Sequence, residues 1–142
     1  MRRVLDAYAV LAFLGGEPGA DLVAEVLGKG TALISSVNLG EVYCILLRER
    51  GRAEAELAEA QFLETANLEL AEADWPRVRA AAEIKADGGL SYADCFALAL
   101  ASEAGAPLLT ADPEIVRAAE RRGVAVMWPG LSGAPEGCCG RG

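Results

Sequence analysis

The 142 residues predict an α/β fold in which a central five-stranded parallel sheet is covered by helices on both faces. Three observations predict it. Short runs rich in Val, Leu and Ile alternate with longer stretches of helical spacing. Ser or Asp marks most helix starts and Gly marks most stops. Asp6 closes the first apolar run and Asp112 follows a late one, the position of a residue at the carboxyl end of a parallel strand.

Residues 2–6 have Val4 and Leu5 as their apolar centre and read as a strand. Residues 7–14 follow as helix and stop at Gly15-Gly16, and Glu17-Pro18-Gly19 is a turn. Leu22, Val23, Val26 and Leu27 recur at helical spacing, so residues 20–27 predict a second helix closed by Gly28 and Gly30. Residues 31–34 are a second buried strand. Ser35-Ser36 offers the N-cap of a long helix that runs to about Arg50 and ends at Gly51. Val37, Leu39, Val42, Tyr43, Ile45, Leu46 and Leu47 cover much of its circumference, which predicts burial. The Ala- and Glu-rich residues 53–65 predict a helix with Leu57 and Phe62-Leu63 inward, and 67–70 a third strand. Asp74 caps a helix with Pro76 in its first turn, which runs to Ala86 before Asp87-Gly88-Gly89. Ser91 opens a helix over 92–103 ended by Gly105, and 107–110 is the fourth strand. Asp112-Pro113 starts a helix whose Arg121-Arg122 suit the negative end of its dipole, and 124–127 is the fifth strand. From Pro129 onward Gly and Pro dominate without periodicity. The expectation is one domain over 1–128 and a flexible Gly/Pro/Cys-rich tail over 129–142.

Composition narrows the chemistry. The chain is 53% hydrophobic and 24% charged, as globular proteins are. No apolar stretch reaches membrane-span length and no secretory signal is evident, so a cytoplasmic protein away from membranes is expected. A net charge of −8 argues against broad electrostatic binding of nucleic acid, but not against a nuclease whose metals neutralise its own carboxylates. The absence of His removes Ser-His and Cys-His nucleophile pairs, imidazole bases and His-bound zinc together. Cys44 and Cys95 fall inside apolar helical patterns and read as core thiols. The adjacent Cys138 and Cys139 suit neither a mutual disulfide nor a metal clip.

The acids deserve separate attention because four segments carry them. Asp6 and Asp112 follow strands of one parallel sheet and so point to one edge. Glu41 lies in the first turns of the helix leaving the second strand. Asp94 lies in the first turn of the helix before the fourth strand, and reaches the same edge if the Gly88-Gly89 loop delivers the chain there. Such a cluster repels itself unless protonated or bridged by divalent cations, and Mg²⁺ or Mn²⁺ suits carboxylate oxygens and phosphate chemistry. Each acid also has a purely local reading. Asp6 and Asp112 can cap helices, Ser91-Tyr92-Ala93-Asp94 matches a capping box, and Glu41 can pair with Arg48.

Four motifs decide between these readings: Val4-Leu5-Asp6, Ser36-Val37-Asn38-Leu39-Gly40-Glu41-Val42, Leu90-Ser91-Tyr92-Ala93-Asp94-Cys95-Phe96-Ala97-Leu98-Ala99, and Leu108-Leu109-Thr110-Ala111-Asp112-Pro113. In this order, from residue 1 to about 128, the chain resembles the PIN domain family, and most closely its VapC-type toxin ribonucleases. The resemblance implies a three-layer PIN-like fold and a Mg²⁺- or Mn²⁺-dependent endoribonuclease that hydrolyses RNA phosphodiester bonds. It carries the family's acids onto Asp6, Glu41, Asp94 and Asp112, as catalytic residues and metal ligands. The family's hydroxyl before the last acid falls on Thr110, which positions that acid or the attacking water. It further implies the toxin of a type II toxin–antitoxin pair, with a cognate antitoxin and a homodimer as partners. Apolar surface in the 53–70 region is the expected contact for either. Arg48, Arg50 and Arg52 are candidates for holding RNA, although dipole complementation at a helix end explains them more simply.

The rival is a non-catalytic PIN-like module that binds RNA or protein. A phosphoacceptor receiver needs a Lys after a late strand, where neither Lys29 nor Lys85 stands. A phosphatase resembling the haloacid dehalogenases needs a second Asp where this chain has Tyr8.

Overall fold

The computed structural model describes residues 1–129. Its strands are β1 (Arg2–Leu5), β2 (Thr31–Ser35), β3 (Leu68–Ala71), β4 (Leu108–Leu109) and β5 (Val126–Met127). Its helices are α1 (Ala7–Gly15), α2 (Ala20–Lys29), α3 (Ser36–Arg50), α4 (Arg52–Leu63), α5 (Trp75–Ala86), α6 (Tyr92–Ala104) and α7 (Pro113–Arg121). The tail expected after Pro129, with Cys138 and Cys139, lies outside the described residues.

The five strands form one parallel sheet in the order β3-β2-β1-β4-β5. β1 is central, with Val4 level with Leu33 on one side and Leu108 on the other. The chain builds outward from β1 through β2 to β3, then crosses back to β4. Strand order therefore reverses between β1 and β4, which leaves a crevice at their carboxyl ends.

Side-chain alternation within each strand assigns the two layers. Val4, Leu33 and Leu108 face the layer of α5, α6 and α7, where Ile84, Phe96, Leu98 and Ile115 bury. Their neighbours Leu5, Ile34 and Leu109 face the layer of α1 to α4, with Val10, Val23, Val42 and Phe62. Burying each such side chain contributes about 1.5–3 kcal/mol, so both faces of even a two-residue strand are used.

Local signals place the helices as expected. Asp6, Ser35, Asp74, Ser91 and Asp112 each cap the following helix with a side-chain oxygen. The turn between α5 and α6 uses Gly88 and Gly89 at φ 85° and 92°, a region that other residues rarely enter. Lys85 Nζ ties this turn down by donating to the Leu90 carbonyl at 2.8 Å.

Three burial expectations fail for one reason. α3 is not buried all round: Asn38, Val42 and Leu46 form its inner stripe, while Cys44 is exposed rather than a core thiol. In α4, Ala55 and Phe62 face inward, and Leu57 and Leu63 are exposed. An apolar residue makes burial favourable, but these helices lie over the sheet with nothing described beyond them to cover the outer side. Among the described residues, no helix is long and apolar enough to cross a membrane.

Candidate active site

Asp6 leaves β1 with an extended backbone and sits only 3% exposed, directly in the crevice where strand order reverses. Its Oδ1 accepts from the Ala9 N–H at 2.8 Å, so it is a helix cap. A cap of this kind occupies one carboxylate oxygen and leaves the other free. Across the crevice, Thr110 follows β4 and is fully buried. Its hydroxyl lies close enough to Asp6 to favour the ionised carboxylate, and its Oγ1 accepts from the Asp112 N–H at 3.2 Å. Thr110 thus links the two acids at the strand ends. Asp112 caps α7, accepting from Glu114 N–H at 2.9 Å.

The other two acids arrive on helices. Ser91 Oγ accepts from the Asp94 N–H at 3.1 Å at the start of α6, one half of the expected capping box. Glu41 is half-buried on α3, and its partner is not Arg48. Asn38, one turn earlier on the same stripe, donates from Nδ2 to Glu41 Oε1 at 3.1 Å. The same Nδ2 donates to the Ala93 carbonyl at 3.0 Å, immediately before Asp94. Flipping the amide would set its oxygen against two acceptors, so the orientation is fixed by electrostatics. Asn38 is fully buried, and its Oδ1 has no partner among the described residues. Asn38 stands in the second of the four motifs, where the sequence alone assigns it no role. A polar amide on the inner stripe of an apolar helix was the available signal.

Electrostatics shows which acids meet. Burial raises the Asp6 carboxyl to about 6, hydrogen bonds from Thr110 and Ala9 partly oppose this, and the charges of Asp94 and Glu41 push it further up. Glu41 is raised by burial, lowered by Asn38 and raised again by Asp94. Asp94 is raised by burial, lowered by Ser91 and raised by Asp112 and Glu114. Asp6, Glu41 and Asp94 therefore share one field, and Asp112 joins it through Asp94. Among the described residues, none of the four is ion-paired with a Lys or Arg. Asp6 and Asp112 tie down their own backbones as helix caps, and Asp6, Glu41 and Asp94 also feel one another's charge.

The donor set suits a hard divalent cation. It offers carboxylate oxygens with no imidazole or thiolate among them, and its self-repulsion is relieved by positive charge. Among the described residues, no three Asp, Glu, His or Cys side chains are gathered closely enough to hold an ion as they stand. Of the arginines considered for RNA, Arg48 and Arg50 lie in the last turn of α3, where the dipole accounts for them, and Arg52 pairs with Glu56 at 3.5 Å.

Comparison with known proteins agrees with this fold. The family model described as PIN domain matches residues 3–121. Ribonuclease VapC42 of Mycobacterium tuberculosis is 28% identical, over 75% of this chain and 87% of that protein. The structure of VapBC2 from Rickettsia felis, bound to a promoter DNA fragment, matches with a TM-score of 0.68 at 15% identity, covering 89% of this chain and 97% of that one. That of VapC20 from Mycobacterium tuberculosis, a sarcin–ricin-loop-cleaving toxin, matches at 0.66 and 18%, covering 82% and 94%.

Proposed function

This chain belongs to the PIN domain family, and on that premise we propose that it is a metal-dependent endoribonuclease, the toxin of a type II toxin–antitoxin pair. One observation carries the reading. A buried, unpaired carboxylate, Asp6, stands at the strand-order reversal facing two further acids, an arrangement that destabilises the free protein and is explained by a bound cation.

In this reading Asp6, Asp94 and Asp112 hold Mg²⁺ or Mn²⁺, and Glu41 completes the ligand shell or orients the attacking water. A bound divalent ion supplies an acidified water and stabilises charge on the phosphate oxygens, which makes a histidine base unnecessary. Thr110 keeps Asp6 and Asp112 at a fixed separation, and Asn38 does the same for Glu41 and the start of α6. In-line attack on phosphorus, with the bond to the 3′-oxygen breaking, leaves 5′-phosphate and 3′-hydroxyl ends.

The antitoxin partner is supported by the likeness to toxin–antitoxin complexes such as VapBC2, and a homodimer and cytoplasmic location belong to the same reading. Exposed Leu57, Leu63 and Leu70 support the 53–70 region as partner surface. The non-catalytic module is favoured by one observation, the lack of a ready three-acid group among the described residues. Cleavage of single-stranded RNA with Mn²⁺ against EDTA separates the two. EDTA-sensitive cleavage is expected, and its absence together with no Mn²⁺ binding selects the module.

A further inference from the structure

Two exposed aromatic side chains stand within two residues of the acids in the sequence. Tyr8, two residues after Asp6, is 47% exposed, and Tyr92, two residues before Asp94, is 45% exposed. Both rings are braced from beneath. Tyr8 packs on Trp128 with ring centroids 5.5 Å apart and planes at 57°. Tyr92 packs on Phe96 at 5.4 Å and 49°. Trp128 and Phe96 are each only 7% exposed, so the supports belong to the core. Trp128 is held in turn by the α1–α2 turn at Gly19, where even a Cβ would collide with its indole. The two tyrosines stand on helices of opposite layers, α1 and α6, near the helix starts that follow Asp6 and precede Asp94.

Phosphate attraction is weak for a chain of net charge −8, so affinity for RNA has to come from other contacts. Half-open, immobilised rings are what unpaired bases stack on, and every base offers a π-face. We propose that Tyr8 and Tyr92 are stacking platforms for unpaired bases on either side of the phosphodiester presented to the acids. This rests on the ribonuclease reading and deepens it. Bases in a duplex already stack on one another, so the site takes single-stranded or looped-out RNA.

Trp75 supplies an internal control. It is 68% exposed, but lies two residues before Arg77, which binds Glu103 at the far end of α6 from Asp94. That separation is about 13 Å of helix. The test measures anisotropy of a labelled, unstructured RNA oligonucleotide with the full chain carrying Asp6→Asn to prevent turnover, and KM and kcat with Mn²⁺ in the wild-type background. Tyr8→Ala and Tyr92→Ala are each expected to weaken binding by roughly five- to a hundredfold. They should raise KM more than they lower kcat, without changing the circular dichroism spectrum. Phe at either position, which keeps the ring, should recover the binding that Ala loses, and Trp75→Ala should change nothing. A duplex of the same sequence should compete poorly. EDTA-sensitive cleavage with KM unmoved in both alanine variants overturns this proposal alone, as does equal competition by the duplex or an equal loss in Trp75→Ala. RNA that the chain neither binds nor cleaves overturns the ribonuclease reading as well.

Discussion

The two ends of α6 gather charge in opposite ways. At its C-terminal end, Glu103 receives both Arg77 Nε and a second guanidinium nitrogen at 3.2 Å, and Arg77 also donates to the Glu72 carbonyl at 3.0 Å. Arg2 and Glu69 stand 4.0 Å apart across the same polar cavity of about 150 Å³. At the N-terminal end, the charge of Asp94 acts on Asp6 and Glu41 and that of Asp112 on Asp94, and no cation pairs with them among the described residues. The paired end is partly exposed, and its bonds are the ordinary means of holding α5 against α6. The unpaired end is more deeply buried, where like charges are most destabilising. A chain that can match charges at one end of a helix leaves them unmatched at the other, which points to a ligand rather than to stability.

The sharpest way to break this contrast is Asp6→Asn. It should lower Mn²⁺-dependent RNA cleavage by roughly a thousandfold, since metal-ion stabilisation is worth several kcal/mol. Because the amide oxygen can still cap Ala9 N–H and no charge is buried, the metal-free variant should melt no lower than wild type at neutral pH. Retained cleavage in a metal-titrated assay removes Asp6 from the site.

A second measurement follows melting temperature against pH, in EDTA and in Mn²⁺. Asp6 has its folded value raised from 3.8 to about 6, and Glu41 and Asp94 shift in the same direction. Between those values the folded chain keeps a proton that the unfolded chain has lost. Stability in EDTA should therefore fall as pH rises from about 4 to 6, by about 3 kcal/mol from Asp6, and stay low above it. Mn²⁺ should restore it at neutral pH. A curve in EDTA that rises over this interval contradicts the burial of an ionised Asp6.

Asn38→Leu removes both donations while nearly preserving volume. Mn²⁺ affinity, read by electron paramagnetic resonance, should drop about tenfold, as when a metal ligand loses its supporting hydrogen bond. In a Glu41→Gln background the same change should have little further effect, because Asn38 acts through Glu41. Additive losses in the double variant would mean that Asn38 acts through the start of α6 or through packing and not through Glu41. The smallest effect belongs to the paired end. Arg77→Ala should lower stability by about 1 kcal/mol or less, because both partners are partly exposed, and leave RNA cleavage unchanged.

Local physics made much of this fold legible. Asp74 before Trp75-Pro76 and Asp112 before Pro113 announce helix starts through atoms within a few residues, and both cap as read. Motif order did the same for Asp6, Glu41, Asp94 and Asp112 as a set, and a parallel sheet accounts for Asp6 and Asp112 leaving their strands at one edge. The Asn38 bridge to Ala93 was not legible, because its partners are 55 residues apart and nothing local signals the encounter. Cys44, Leu57 and Leu63 were misread because periodicity identifies an apolar residue without saying whether anything packs over it.

Taken alone, the amino-acid sequence determined the order of strands and helices, most helix starts, the parallel α/β class and the set of acids, since capping, turn chemistry and side-chain period act over a few residues. Tertiary structure alone decided that Asp6 is buried with no cation paired to it among the described residues, that Asn38 bridges Glu41 and the start of α6, and that Tyr8 and Tyr92 are braced on Trp128 and Phe96. Desolvation and like-charge repulsion depend on distances between segments that meet only once the sheet has formed.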